Sequence, residues 1–162
     1  MTVTRHWKRT MDRTVTEKVV EDLYAEALLL ADETRAAFDL RDGTEDGPEN
    51  SNETRIAMSI EGLRTTTRVM HVLAWLLNQR AYLAGEISAR QLQKAGTLGT
   101  ERPSDPRNMA VLPIAMRALI RDTERLYGRV ARLDAEQRSV RAANDDPVGD
   151  LRGRIAQAFN AG

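Results

Sequence analysis

Residues 56–84 read IAMSIEGLRTTTRVMHVLAWLLNQRAYLA. Apolar or small residues stand at Ile56, Ile60, Leu63, Thr67, Met70, Ala74, Leu77, Ala81 and Ala84, in alternating steps of four and three. Kept up for about four heptads, that period is hard to produce by chance, and it predicts one long helix with an apolar seam along one side. No proline interrupts it. Gly85 is placed as its C-terminal cap, and Ser88 with Gln91 makes a capping box that opens a short helix over 89–94.

The same alternation extends outward on both sides. Over 14–40, Val20, Tyr24, Ala27, Ala31, Thr34 and Phe38 form a seam that Val19, Leu23 and Leu30 widen into a face, and Thr14 with Glu17 reads as the capping box at its start. Over 113–138, Pro113 suits a first helical turn, and Met116, Leu119, Thr123, Leu126, Val130 and Leu133 again step by three and four. Between these helices, 41–52 and 96–108 carry glycines and prolines and read as loops. Nothing alternates with period two, so no sheet is expected. The reading is an all-α chain with a flexible N-terminus over 1–13 and an antiparallel up-down-up three-helix bundle over 14–141. The helices lie at about 14–40, 53–84 and 113–138, and a disordered or weakly helical tail covers 142–162.

A chain of 162 residues suffices for one domain with a core of its own. Cysteine is absent, which excludes disulfides, thiolate nucleophiles and cysteine-based metal sites and suits a reducing cytosol. No segment is long and apolar enough for a membrane span or a signal peptide, so the expected location is cytoplasmic. Lys plus Arg and Asp plus Glu balance at 24 each. The charges are unevenly placed, however. Residues 14–40 hold seven acids against Lys18 and Arg35, and 113–141 hold seven arginines against four acids, so if those two helices pack side by side, opposite charge helps fix which helix neighbours which.

Site chemistry is sparse. The histidines are His6 and His71 alone, neither in a metal-ligand pattern, and no phosphate-cradling or nucleophile-elbow motif occurs. No catalytic, metal or cofactor residue can be named, and the chain reads as a non-enzyme with no cofactor. Beside the seam of the second helix runs a stripe of Arg64, Arg68, His71, Trp75, Asn78 and Tyr82. Arginine, tryptophan and tyrosine are enriched at binding hot spots, so one reading is a protein-contact surface. The other has Trp75 and Tyr82 completing the core while the arginines pair with acids of the first helix. A ladder of Arg117, Arg121, Arg125, Arg129 and Arg132 on the third helix supports a rival class, a helical transcriptional or nucleic-acid-binding regulator, although no groove-reading motif accompanies it. Nothing is built on the basic residues of 1–13, since Met11 is an alternative start. In the tail, Leu151, Ile155 and Phe159 at steps of four suit a segment that folds on a partner's groove or docks on its own bundle.

Two stretches, VLAWLLNQRAYLAGEIS over 72–88 and LYGRVARLDAE over 126–136, together with Leu112-Pro113, resemble the RcdA family of alphaproteobacterial proteins. The resemblance covers roughly 14–136. It implies a small homodimeric three-helix bundle acting as an adaptor in regulated proteolysis. Such an adaptor brings substrates, cell-cycle regulators among them, to the AAA+ protease ClpXP and associates with a receiver-domain primer protein. It also implies a cytoplasmic protein that gathers in polar foci. No catalytic residue is carried over, and a dimer would cover the widened apolar faces.

Overall fold

The computed structural model describes residues 3–39 and 52–145, with side chains described for 16–38 and 52–142. Five helices follow in order: α1 Val3–Asp39, α2 Asn52–Leu83, α3 Ala89–Lys94, α4 Pro106–Val111 and α5 Ile114–Asp145. Among the described residues there is no strand. The loop expected over 41–52, apart from Asn52, and the tail residues Leu151, Ile155 and Phe159 lie outside the described residues.

The signals at the end of α2 produce the structure they predict. Gly85 takes φ +79, the left-handed turn in which a side chain would be strained. Glu86 N–H reaches back to the Ala81 carbonyl at 2.9 Å. Ser88 and Gln91 then form the capping box of α3 in both directions. The start of α1 differs. Thr14 was the expected first turn, yet the helix begins at Val3, because no glycine or proline stands between Val3 and Asp39 to stop it. Also unforeseen is α4, one turn and a half long. The Asp105 side chain accepts from Arg107 N–H at 2.9 Å, and Pro106 fills the first position.

Contacts fix the directions of the helices. Arg80 donates to Glu21 at 2.6 Å near one end of the α1–α2 pair, and Phe38 packs on Gly62 near the other, so α1 and α2 are antiparallel. Arg129 of α5 meets Glu26 of α1 at 2.7 Å, so the acidic and the basic helix do lie side by side there. The direction of α5 corrects the up-down-up expectation. Ala57 and Met58 of α2 share a core cluster with Leu112, Met116 and Ile120, while ten residues further along α2 Arg68 meets Thr123. Both helices therefore advance in the same direction, and the order is up-down-down.

A parallel pair needs a return path, and residues 84–113 supply it. As this strap ascends in number it descends along α2: Gly99 lies on His71, Glu101 pairs with Arg68, Asp105 N–H donates to Glu61, and Leu112 reaches Met58. At about 1.5 Å per residue α2 is about 48 Å long, and a connection of this length can span about 100 Å when extended. It covers the distance even with α3 and α4 coiled within it, and both pack on α2.

The chain divides into two units, Met1–Val130 and Ala131–Gly162. All of the contacts above belong to the first. In the second, the helix is continuous through Asp145, Arg138 pairs with Asp134 one turn away at 3.2 Å, and the Ser139 hydroxyl donates to the Glu136 carbonyl.

Candidate protein-contact surface

In α1 the seam residues Val20, Ala27 and Thr34 are buried together with Leu23 and Leu30 while Tyr24, Ala31 and Phe38 are half-buried, and the α5 seam turns inward, with Met116, Leu119, Thr123, Leu126 and Val130 buried and Leu133 half-buried. The seam of α2 does not. Ile56 is 60% exposed, Leu63 71% and Met70 58%, with Ile60 and Leu77 also open and Thr67, Ala74 and Ala84 among them. The row that reads as the core seam of α2 is thus its outer surface. A second row with the same four-three alternation, Thr54, Met58, Glu61, Thr65, Arg68, Val72, Trp75 and Gln79, is the buried one.

That inner row carries charged and polar side chains; the strap and α5 supply partners to Arg68 and to one oxygen of Glu61, while Glu61 Oε2 and Thr65 Oγ1 are buried without a hydrogen bond. Arg68 is wholly buried. Its guanidinium pairs with Glu101, donates to Thr123 Oγ1 at 2.9 Å, and reaches the Arg102 carbonyl and Glu124 Oε1 at 3.4 Å each. Glu124 also accepts from the Ser104 hydroxyl at 2.7 Å. One turn before Thr65, the equally buried Glu61 accepts through Oε1 from Arg64 at 2.6 Å, Asn108 at 2.8 Å and the Asp105 N–H at 3.1 Å. The Tyr127 hydroxyl completes the anchorage by donating to the Gly99 carbonyl at 2.8 Å. A charge taken out of water is tolerated where such partners surround it.

The expected stripe is therefore divided. Arg68 and Trp75, 0% and 4% exposed, belong to the interior, which corrects their reading as contact residues. The arginines do not pair with acids of α1, since Arg64 and Arg68 find theirs on α2, the strap and α5. His71 is half-buried beneath Gly99, where an added Cβ would stand 2.6 Å from its ring. Arg64 and Asn78 are half-exposed, and Tyr82 is exposed.

Two clefts flank the outer row near Leu63. One of ≈ 410 Å³ lies against the strap and is lined by Ile60, Leu63, Arg64, Thr67, Arg68 and residues 100–102. The other, ≈ 440 Å³, lies toward the end of α1 and is lined by Phe38, Arg55, Met58, Ser59, Gly62, Leu63 and Thr66. A third, ≈ 480 Å³, sits at the far end of the row, where Glu17, Glu21 and Glu86 surround Leu77 and Ala84. There Arg80 is held by Glu21, whose hydrogen bond raises the guanidinium pKa above its ordinary value, and it stacks 4.2 Å over the Tyr24 ring. On α5, Arg125 pairs with Asp122 and Arg129 with Glu26, so two rungs of the arginine ladder are already neutralised. Among the described residues no cluster of three potential metal ligands occurs, and no helix is long and apolar enough to cross a membrane.

Residues 11–159 match the family model described as "Protein of unknown function (DUF1465)". The crystal structure of RcdA from Caulobacter crescentus CB15 is similar at 30% sequence identity and a TM-score of 0.54, over 72% of this chain and 88% of that one. The chain belongs to the RcdA family. No curated protein matches it.

Within this RcdA-family fold, the residues that reasoning from sequence missed are the outer row itself. A signal for them was present. In addition to the row, α2 carries Val69, Val72, Trp75 and Leu76, so apolar residues cover more of its circumference than one bundle face can bury.

Proposed function

We propose that this RcdA-family chain is a non-enzymatic, homodimeric adaptor in regulated proteolysis, tethering substrates or co-adaptors to a ClpXP-type AAA+ protease in cell-cycle control. The observation that carries the reading is the outer row of α2: exposed apolar side chains run the length of a helix whose buried row holds Glu61, Thr65, Arg68 and Gln79. A soluble protein rarely leaves such a face open unless another protein covers it. Family membership supplies the kind of partner, namely the protease, a receiver-domain primer protein and regulators that serve as substrates. The place of action is the cytoplasm, polar foci included.

The contact residues we propose are Arg64 and Tyr82 at the margin of the row and Leu151, Ile155 and Phe159 in the tail, the last three suited to a partner's groove by their spacing. Purified chain is immobilised and offered ClpX-type unfoldase, ClpP-type peptidase and a receiver-domain protein singly and together. The expected outcome is retention of at least one of them, reduced when Leu151, Ile155 and Phe159 are replaced by alanine. Retention of none by a chain that keeps its helical signal rejects the adaptor reading.

A further inference from the structure

Over 101–125 the acids and the arginines are sorted. Glu101 pairs with the buried Arg68, the Asp105 carboxylate accepts from the Arg107 N–H that opens α4, and Glu124 of α5 accepts from the Ser104 N–H and hydroxyl. Asp122 is held by Arg125. Every acid of the segment thus has its partner within the fold. The remaining arginines do not. Arg102 and Arg107 are exposed on the strap. Arg117 and Arg121 stand seven and three residues before Glu124, on the flank of α5 that the strap borders, with Arg121 exposed and Arg117 half-buried. Among the described residues none of these four has an ion-pair partner. Apolar groups stand in water among them. Ile114 is 76% exposed, three residues before Arg117, and Pro103, Pro106 and Ala118 are open as well.

From this we infer that the face made by the second half of the strap and the adjoining flank of α5 docks an acidic segment of another protein. Its carboxylates meet the guanidinium groups of Arg102, Arg107, Arg117 and Arg121, and an apolar side chain lies against Ile114. The inference rests on the adaptor reading for one thing, that the bound molecule is a protein, and adds the surface and the chemistry of the partner. A guanidinium offers a planar fork that matches a carboxylate with two parallel hydrogen bonds, and arginine is enriched where proteins meet. The acids of the segment do not compete for these arginines, because Arg68, Ser104, Arg125 and the start of α4 already hold them. On a chain that is neutral overall, four unengaged cations on one face also steer an acidic partner to that face. Nucleic acid suits it less well. A sugar-phosphate backbone would meet Ile114 and two prolines between the cations, and no groove-reading motif accompanies them. The face adjoins the outer row of α2 only where Arg102 lines the cleft with Ile60 and Leu63.

The test uses the full chain and, as probe, a fluorescein-labelled peptide of Glu-Glu-Leu repeats read by anisotropy. Binding is expected at low salt and is expected to weaken several-fold between about 50 and 300 mM, as exposed ion pairs do. Reversing Arg117 and Arg121 together to glutamate is expected to weaken it about 10-fold or more, and so is reversing Arg102 and Arg107. Arg90→Glu with Lys94→Glu makes the same change in net charge on α3, at the other end of the strap, and is expected to alter affinity by less than about 2-fold. Ile114→Ser is expected to weaken binding about 3-fold through the lost apolar contact. Circular dichroism and thermal unfolding accompany each variant, and Arg→Gln versions of both arginine pairs, expected to lose about 3-fold, replace any reversal that unfolds the chain. Equal weakening by the α3 pair overturns the inference, as does an unchanged affinity in both arginine pairs or no binding at about 1 mM peptide. A labelled DNA duplex bound more tightly than the peptide at the same salt overturns it in favour of phosphate. The protease and its primer take no part in these readouts, so this face can fail while the adaptor reading stands, and the reverse.

Discussion

Arg68 shows how far a residue's role can lie from its local appearance. Four residues after Arg64 and seven before Trp75, it reads as part of a surface stripe, yet it is wholly buried, and its guanidinium joins α2 to the strap and to α5. Replacing it with leucine removes the cation and leaves Glu101 and Glu124 facing each other. We expect a loss of about 3 kcal/mol in denaturant unfolding, near the low end for a broken buried pair because both carboxylates keep an edge in water. Trp75→Ala opens the core and is expected to cost about 3–5 kcal/mol by the same measurement. A surface role for either residue would show instead as unchanged unfolding. The sequence could not reveal the burial of Arg68 because its partners stand 33 to 56 positions away. What makes the charge tolerable there is supplied by tertiary structure and not by its neighbours in the chain.

At the scale of elements, the period of each helix was legible, but only for two of the three long ones was the side that faces the core. In α1 and α5 the more apolar row is the buried row, so Val20 to Thr34 and Met116 to Val130 fall where the pattern places them. In α2 two rows share the period. Reasoning from hydrophobicity selects the one without Glu61, Thr65, Arg68 and Gln79, which is the outer one. Caps were readable because they are local, as Gly85, Ser88 and Gln91 demonstrate. The strap was not, because its order comes from anchors on other elements. Gly99 tests how tightly it is held. Its backbone lies against the His71 ring, and Gly99→Ala forces the two apart. The expected result is a loss of about 1–3 kcal/mol, accompanied by faster amide hydrogen exchange over 97–105 than in α1.

For the whole molecule, helical class follows from the sequence, whereas the direction of α5 does not. A connection as long as 84–113 can end at either end of α2, and side-chain anchorage along α2 decides between them. Charge is more transparent at this scale. The chain is neutral overall, its acidic α1 neutralises part of its basic α5 through Glu26 and Arg129, and Asp122 occupies Arg125. Duplex DNA is therefore expected not to bind, as read by anisotropy of a labelled duplex at low salt. Binding that weakens steeply as salt rises would restore the arginine ladder as a nucleic-acid surface.

The two rows of α2 interleave along one helix, and they answer to different demands. What keeps the chain folded is written on the inner row, in residues that the strap and α5 complete. The outer row holds apolar residues that the fold itself hardly touches. The outer row could thus be rewritten residue by residue with the anchors of the folded chain left as they are.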